Sequence, residues 1–135
     1  MNELINIVKN WIKKAGNDLM NAEIVIQAEN PPTDTICFHC QQAAEKYIKA
    51  YLIRKGKKFK RVHDLVYLLE LCLQIDSSFN EIEKEIGELT EYSVEARYPN
   101  DIYAEYDIEE AKEAIDKAKR VKDFILKKLE NKNGI

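Results

Sequence analysis

The chain has 135 residues, of which 45% are hydrophobic and 33% charged, the profile of a globular domain with its own core. Four glycines and three prolines are too few for a turn-rich β-sandwich. A net charge of −3 excludes a global basic field of the kind that advertises nucleic-acid binding.

The first segment, residues 2 to 29, repeats Leu4, Ile5, Val8, Trp11, Ile12, Ala15, Leu19, Ala22 and Ile26 at helical spacing. Its start has no apolar signal-peptide core, and no stretch of the chain approaches 18 apolar residues. With three cysteines, Cys37, Cys40 and Cys72, the expectation is a cytoplasmic protein with reduced thiols and no membrane span. "ENPPTD" then breaks the chain, because proline cannot continue a helix. Thr33 or Asp34 is the expected N-cap of a second helix reaching about Lys55, with Gly56 as its left-handed stop.

The second helix carries "FHCQQAAEKYIKAYLIRKG". It is apolar over so much of its circumference that it reads as central. His39, Gln42 and Lys46 share one face, with Gln41 and Glu45 beside them. Polar groups on a central helix need partners or a cleft. Two readings stand together: hydrogen bonds to neighbouring helices, or the lining of a ligand cleft or dimer seam. "CFHC" is not read as a metal site, since Cys37 and His39 point to different sides of one helix and no second Cys/His pair completes a set. No metal and no cofactor are expected.

"RKGKKFKR", residues 54 to 61, holds six cations in eight residues. It is either a solvated loop or an anion-binding one, with Lys57, Lys58, Lys60 and Arg61 as its electrostatic residues. "HDLVYLLELCL", 63 to 73, follows as a short apolar helix started by His63 or Asp64. His63 is local structure or a catalytic acid–base candidate. A fourth helix is expected from the capping-box pattern Ser78-x-x-Glu81 to about Ala96. "RYPNDIYAEY" is irregular and rich in aromatics, with Arg97 and Tyr103 suited to phosphate, base or interface contacts. A second capping box, Asp107-x-x-Glu110, opens a last helix whose stripe is Ile108, Ala111, Ile115, Ala118, Lys122, Ile125 and Leu129. The sum is an all-α, up-down bundle of four to five helices, two of them long, without a convincing strand.

Four segments together resemble the HEPN family (higher eukaryotes and prokaryotes nucleotide-binding domain): "WIKKAGNDLMNAE", "CFHCQQAAEKYIKAYLIRKG", "HDLVYLLELC" and "ARYPND". The likeness spans nearly the whole chain, taken as one domain over residues 1–135, and is to the small stand-alone prokaryotic and archaeal branch. It implies a helical bundle that dimerises and a minimal nucleotidyltransferase as partner, in several branches as a toxin–antitoxin pair. It also implies, for toxic members, metal-independent ribonuclease activity by 2′-OH attack, from a motif of Arg followed four to six residues later by His. Arg97 fits the motif's arginine. The histidine does not carry over: residues 102 to 104 read Ile-Tyr-Ala, and the histidines, His39 and His63, lie upstream.

Three readings follow. In the first, a homodimeric bundle binds nucleotide or RNA through His39, Gln42, Lys46, Arg97 and Tyr103 and serves the nucleotidyltransferase. In the second, an endoribonuclease toxin uses Arg97 with a displaced base, His63 or His39. In the third, the polar helix face is the seam of a purely structural dimer.

Overall fold

The computed structural model describes residues 2–92 and 106–130, and among these the regular structure is helical, with no strand. Among the described residues five α-helices occur: α1 Asn2–Val25, α2 Thr33–Arg54, α3 Leu65–Ile75, α4 Glu83–Leu89 and α5 Ile108–Glu130. Three of them, rather than two, are long, at 24, 22 and 23 residues.

α1 ends short of the expected residue 29. A loose turn through Ala28 and Asn30 in the left-handed region (φ 53°) delivers the chain to Pro31 and Pro32. Asparagine tolerates that backbone better than most residues. Neither Thr33 nor Asp34 caps α2. Pro32 occupies the N-cap in extended geometry without a side-chain cap, and the Thr33 hydroxyl instead donates to the Tyr106 carbonyl, tying the start of α2 to the entry of α5. The other end matches expectation. Gly56 has φ +71°, its N–H donates to the Ile53 carbonyl and the Lys57 N–H to the Leu52 carbonyl, closing the paired bonds of a Schellman stop.

α2 is the axis of the bundle. Ala43, Ala44, Ile48, Ala50 and Leu52 are wholly buried, and Tyr47 and Tyr51 nearly so. α1 covers one side with Val8, Ala15, Leu19 and Ala22, and α5 the other with Ala111, Ala114, Ile115, Ala118, Val121 and Ile125. The small residues let the three long helices approach closely. Val121 takes the stripe position expected of Lys122, which stays half-buried, and Ile108 is 37% exposed. A step of three from Ala118 keeps the stripe on the core, where a step of four would swing it outward. At one end Tyr51, Phe79 and Phe124 stack in sequence, with ring centroids 4.6 and 4.9 Å apart. Each large buried side chain of this kind contributes about 1.5–3 kcal/mol of transfer free energy.

The fourth helix is shorter and differently capped than expected. Asp76, not Ser78, accepts from the Ser78 N–H at 3.0 Å. A 3-10 stretch, Ser77–Ile82, precedes α4, and another, Thr90–Tyr92, follows it. Its expected continuation to Ala96 lies outside the described residues. Asp107 does cap α5, accepting from the Glu110 N–H at 2.8 Å, but the reciprocal arm of the box is absent: the Glu110 carboxylate accepts the Tyr92 hydroxyl at 2.6 Å.

Contacts give the helix directions. Trp11 meets Lys49 and Asp18 meets His39, so α1 and α2 are antiparallel. Glu85–Arg120 and Glu88–Lys117 set α4 antiparallel to α5. α3 follows α2 in the same sense, with His63 beside Glu45 and Gln74 beside Lys57, because the basic loop doubles back along α2 before α3 begins.

Candidate functional site

Two polar rows run along α2, about 90° apart around its axis at 100° per residue. The first is the expected face. His39 and Lys46 both turn to Asp18 of α1: the His39 Nδ1 lies 3.1 Å from Oδ1, and the Lys46 ammonium donates to Oδ2. A carboxylate accepts only, so Nδ1 carries the proton and Nε2 is left for another partner. Gln42 lies on the same face but donates to the neighbouring Gln41 amide oxygen at 2.9 Å. His39 and Lys46 keep 32% and 26% of their side-chain surface exposed, against 15% for Asp18. The row is therefore an imidazole and an ammonium on the rim of the α1–α2 seam, satisfied by one acid below them.

The second row is buried and was less visible in the sequence. Glu45 is 2% and Lys49 6% exposed. Glu45 Oε2 accepts from Lys49 Nζ at 2.9 Å and from His63 Nδ1 at 2.8 Å. The Lys49 ammonium also faces the rings of Trp11 and Phe59, 5.7 and 5.9 Å from their centroids. An ammonium between a carboxylate and two aromatic faces is well compensated for its lost hydration. Glu45 Oε1 and the Gln41 Nε2 one turn earlier have no hydrogen-bond partner among the described residues. His63 itself is 60% exposed, so its Nε2 faces solvent while Nδ1 is held by the buried acid.

The basic loop lies directly against this second row. Lys57 is half-buried and reaches Gln74 at 3.5 Å, while Lys58, Lys60 and Arg61 are exposed. Asp64 is the N-cap of α3, accepting from the Tyr67 N–H at 3.1 Å, which assigns His63 to the turn before it. Arg97 and Tyr103 lie outside the described residues. The structure thus brings His39 and Lys46 together and sets His63 in a separate group with Glu45 and Lys49.

The cysteines of "CFHC" are core residues. Cys37 and Cys40 are fully buried, as is Cys72. Burial is the main cause that pushes the Cys37 and Cys72 thiols up to about 12, and it raises Cys40 as well. Neutral thiols are poor metal ligands and poor nucleophiles. His39 is turned away from them, to Asp18.

Asp18 and Lys49 are the residues that sequence reasoning missed. Asp18 stands next to Leu19 on the buried stripe of α1, and Lys49 follows Glu45 by four on an otherwise apolar helix. An acid or base set into an apolar stripe is the signal that could have found both.

The described residues form an all-α bundle organised on one central helix, and the comparisons with known proteins give its class. The sequence model of the HEPN domain matches residues 8–129, and the chain belongs to the HEPN family. It is 31% identical to a protein of Methanocaldococcus jannaschii named "Putative toxin MJ1304", over 97% of this chain and 93% of that one. It is also similar to the crystal structure of ST0689, described as an archaeal HEPN homologue, with a TM-score of 0.72, 27% identity, and 90% of this chain and 97% of that chain covered. Among the described residues no helix is long and apolar enough to cross a membrane.

Proposed function

We propose that residues 1–135 act as one cytoplasmic HEPN domain that binds nucleotide or RNA as a homodimer and serves a minimal nucleotidyltransferase partner in a toxin–antitoxin pair. The observation that carries this reading is the His39–Asp18–Lys46 row. An imidazole nitrogen and an ammonium are presented together at a half-exposed seam, fixed from below by one carboxylate. The Lys46 ammonium suits a phosphate oxygen, and the Nε2 of His39, an acceptor while Nδ1 carries the proton, suits a ribose hydroxyl. Gln42 adds an amide on the same face, Arg97 and Tyr103 complete the set, and Lys57, Lys58, Lys60 and Arg61 supply the field. The end-to-end likeness to a relative carrying the name of a toxin supports the pairing.

A second reading, a metal-independent endoribonuclease, is favoured by His63. Its Nδ1 is committed to Glu45, which leaves Nε2 outward as a general base. One experiment separates the two. Pure protein is incubated with single-stranded and structured RNA in chelator, beside Arg97→Ala, Lys46→Met and His63→Ala. Retention of intact RNA, weakened in Lys46→Met and Arg97→Ala, is the expected result. Cleavage abolished in His63→Ala replaces it with the second reading. No retention and no cleavage by wild type refutes both. Mixing with the purified nucleotidyltransferase and measuring complex mass tests the partner.

A further inference from the structure

We infer that the loop from Lys57 to His63 is a pre-shaped surface for the phosphate backbone of single-stranded RNA, held in place by the buried Glu45–Lys49–His63 network. This rests on the RNA-binding reading and gives it a second, sequence-independent contact.

The loop divides its side chains by direction. Phe59 lies over the Lys49 ammonium, Val62 is half-buried, and His63 closes on Glu45. Between these inward residues Lys58, Lys60 and Arg61 are exposed, and among the described residues no carboxylate pairs with them. Lys117, Lys119, Arg120 and Lys128 are each paired with an acid, and the exposed lysines Lys9, Lys13 and Lys14, for which the described residues also show no acid partner, lie on α1 rather than gathered on a loop. The backbone is pinned as well. The Lys60 N–H donates to the Tyr67 hydroxyl at 3.2 Å, and the Val62 N–H to the Lys60 carbonyl at 2.9 Å. Asp64, the acid nearest in the chain, is occupied as the α3 cap.

Three cations without an acid partner among the described residues, carried on a pinned loop, meet a polyanion at a lower entropic cost than the same cations on a mobile one. The loop's phenylalanine is spent on Lys49, and stacking on the exposed Arg61 or His63 is sequence-tolerant, so the contact reads phosphate rather than sequence. A protein partner would need a buried apolar or aromatic anchor at the centre of its footprint. The exposed members of this loop offer none, which favours RNA over an acidic protein surface.

The test is fluorescence anisotropy of full-length protein with labelled oligouridylate and oligoadenylate of equal length across a salt series. Both are expected to bind alike. Lys58→Ser/Lys60→Ser/Arg61→Ser is expected to reduce the slope of log K against log salt by about 2, at roughly 0.7 per released phosphate contact on a single strand. Tyr67→Phe, which removes only the pin on Lys60, is expected to weaken binding several-fold with the slope unchanged. A wild-type slope in the triple variant overturns the proposal while leaving RNA binding through Lys46 and Arg97 intact. Equal displacement of RNA by polyglutamate, or strong preference for one base, also overturns it. Wild-type affinity in Tyr67→Phe overturns the pinning. Absence of RNA binding by wild type overturns this proposal together with the reading it rests on.

Discussion

Lys49→Met is the sharpest test of how the second row is held together. The substitution keeps the length of the side chain and its packing between Trp11 and Phe59, but removes the ammonium that bonds Glu45 Oε2 at 2.9 Å. Breaking a buried ion pair from one side costs about 3–5 kcal/mol. His63 remains on the same oxygen and is open to solvent, so Glu45 keeps one donor and the loss falls at the lower end, about 3 kcal/mol. With a urea slope of about 2 kcal/mol per molar, the midpoint falls by about 1.5 M. Helical circular dichroism against urea reads it. Glu45→Leu combined with Lys49→Met removes both charges and is expected to recover stability, so that the double variant falls well short of the summed single losses. A Lys49→Met midpoint within about 0.3 M of wild type, equivalent to about 0.6 kcal/mol, would falsify the assignment. Strictly additive losses in the cycle would refute the coupling.

Three further outcomes are expected. Gly56→Ala loses about 1 kcal/mol in the same urea assay through the left-handed backbone alone, since an added Cβ there meets nothing within 4 Å; a neutral result would mean that α2 stops elsewhere. Cys37, Cys40 and Cys72 stay unlabelled by a thiol reagent at pH 8 in native protein and all three react in denaturant, because burial raises each thiol; rapid labelling of native protein contradicts this. The hydrogen bond from Lys128, then those from Ser78, hold the Asp76 carboxyl down at about 2 against an ordinary 3.8. Its contribution is therefore complete above about pH 4 and is lost as pH falls toward 2, so Asp76→Asn flattens stability against pH in that window. A profile as steep as wild type there removes Asp76 from the account.

The helices were legible because their signals are local. Prolines 31 and 32, Gly56 and the caps Asp64 and Asp107 each act within one turn of themselves, and all stand where the sequence places a break or a start. Central placement of α2 was also readable, since a helix apolar on most of its circumference has nowhere else to go. The misses involve partners that arrive from elsewhere in the chain. Thr33 looks like an N-cap until Tyr106 offers its carbonyl. Glu110 looks like a capping-box arm until the Tyr92 hydroxyl arrives. Ser78 lost its cap to Asp76 because the 3-10 turn begins two residues before the α-helical pattern. The His39, Gln42 and Lys46 face followed from helical spacing, but the acid that gathers two of them lies on α1 and appears only when the helices cross. Arg97 and Tyr103 lie outside the described residues, so their place in the site remains a proposal.

The path of the chain between α2 and α3 has one more consequence. From Glu45 to Lys55 the helix advances ten residues, about 15 Å at 1.5 Å each, and the chain must return that distance before His63 reaches Glu45. Eight extended residues reach about 26 Å. The return therefore runs with slack, and its course is set by attachment points rather than by tautness. Residues could be added beside Lys58, between the attachments at Lys57 and Phe59, without dragging α3 out of register, so the number of cations on that face can be raised while the bundle beneath it stays the same.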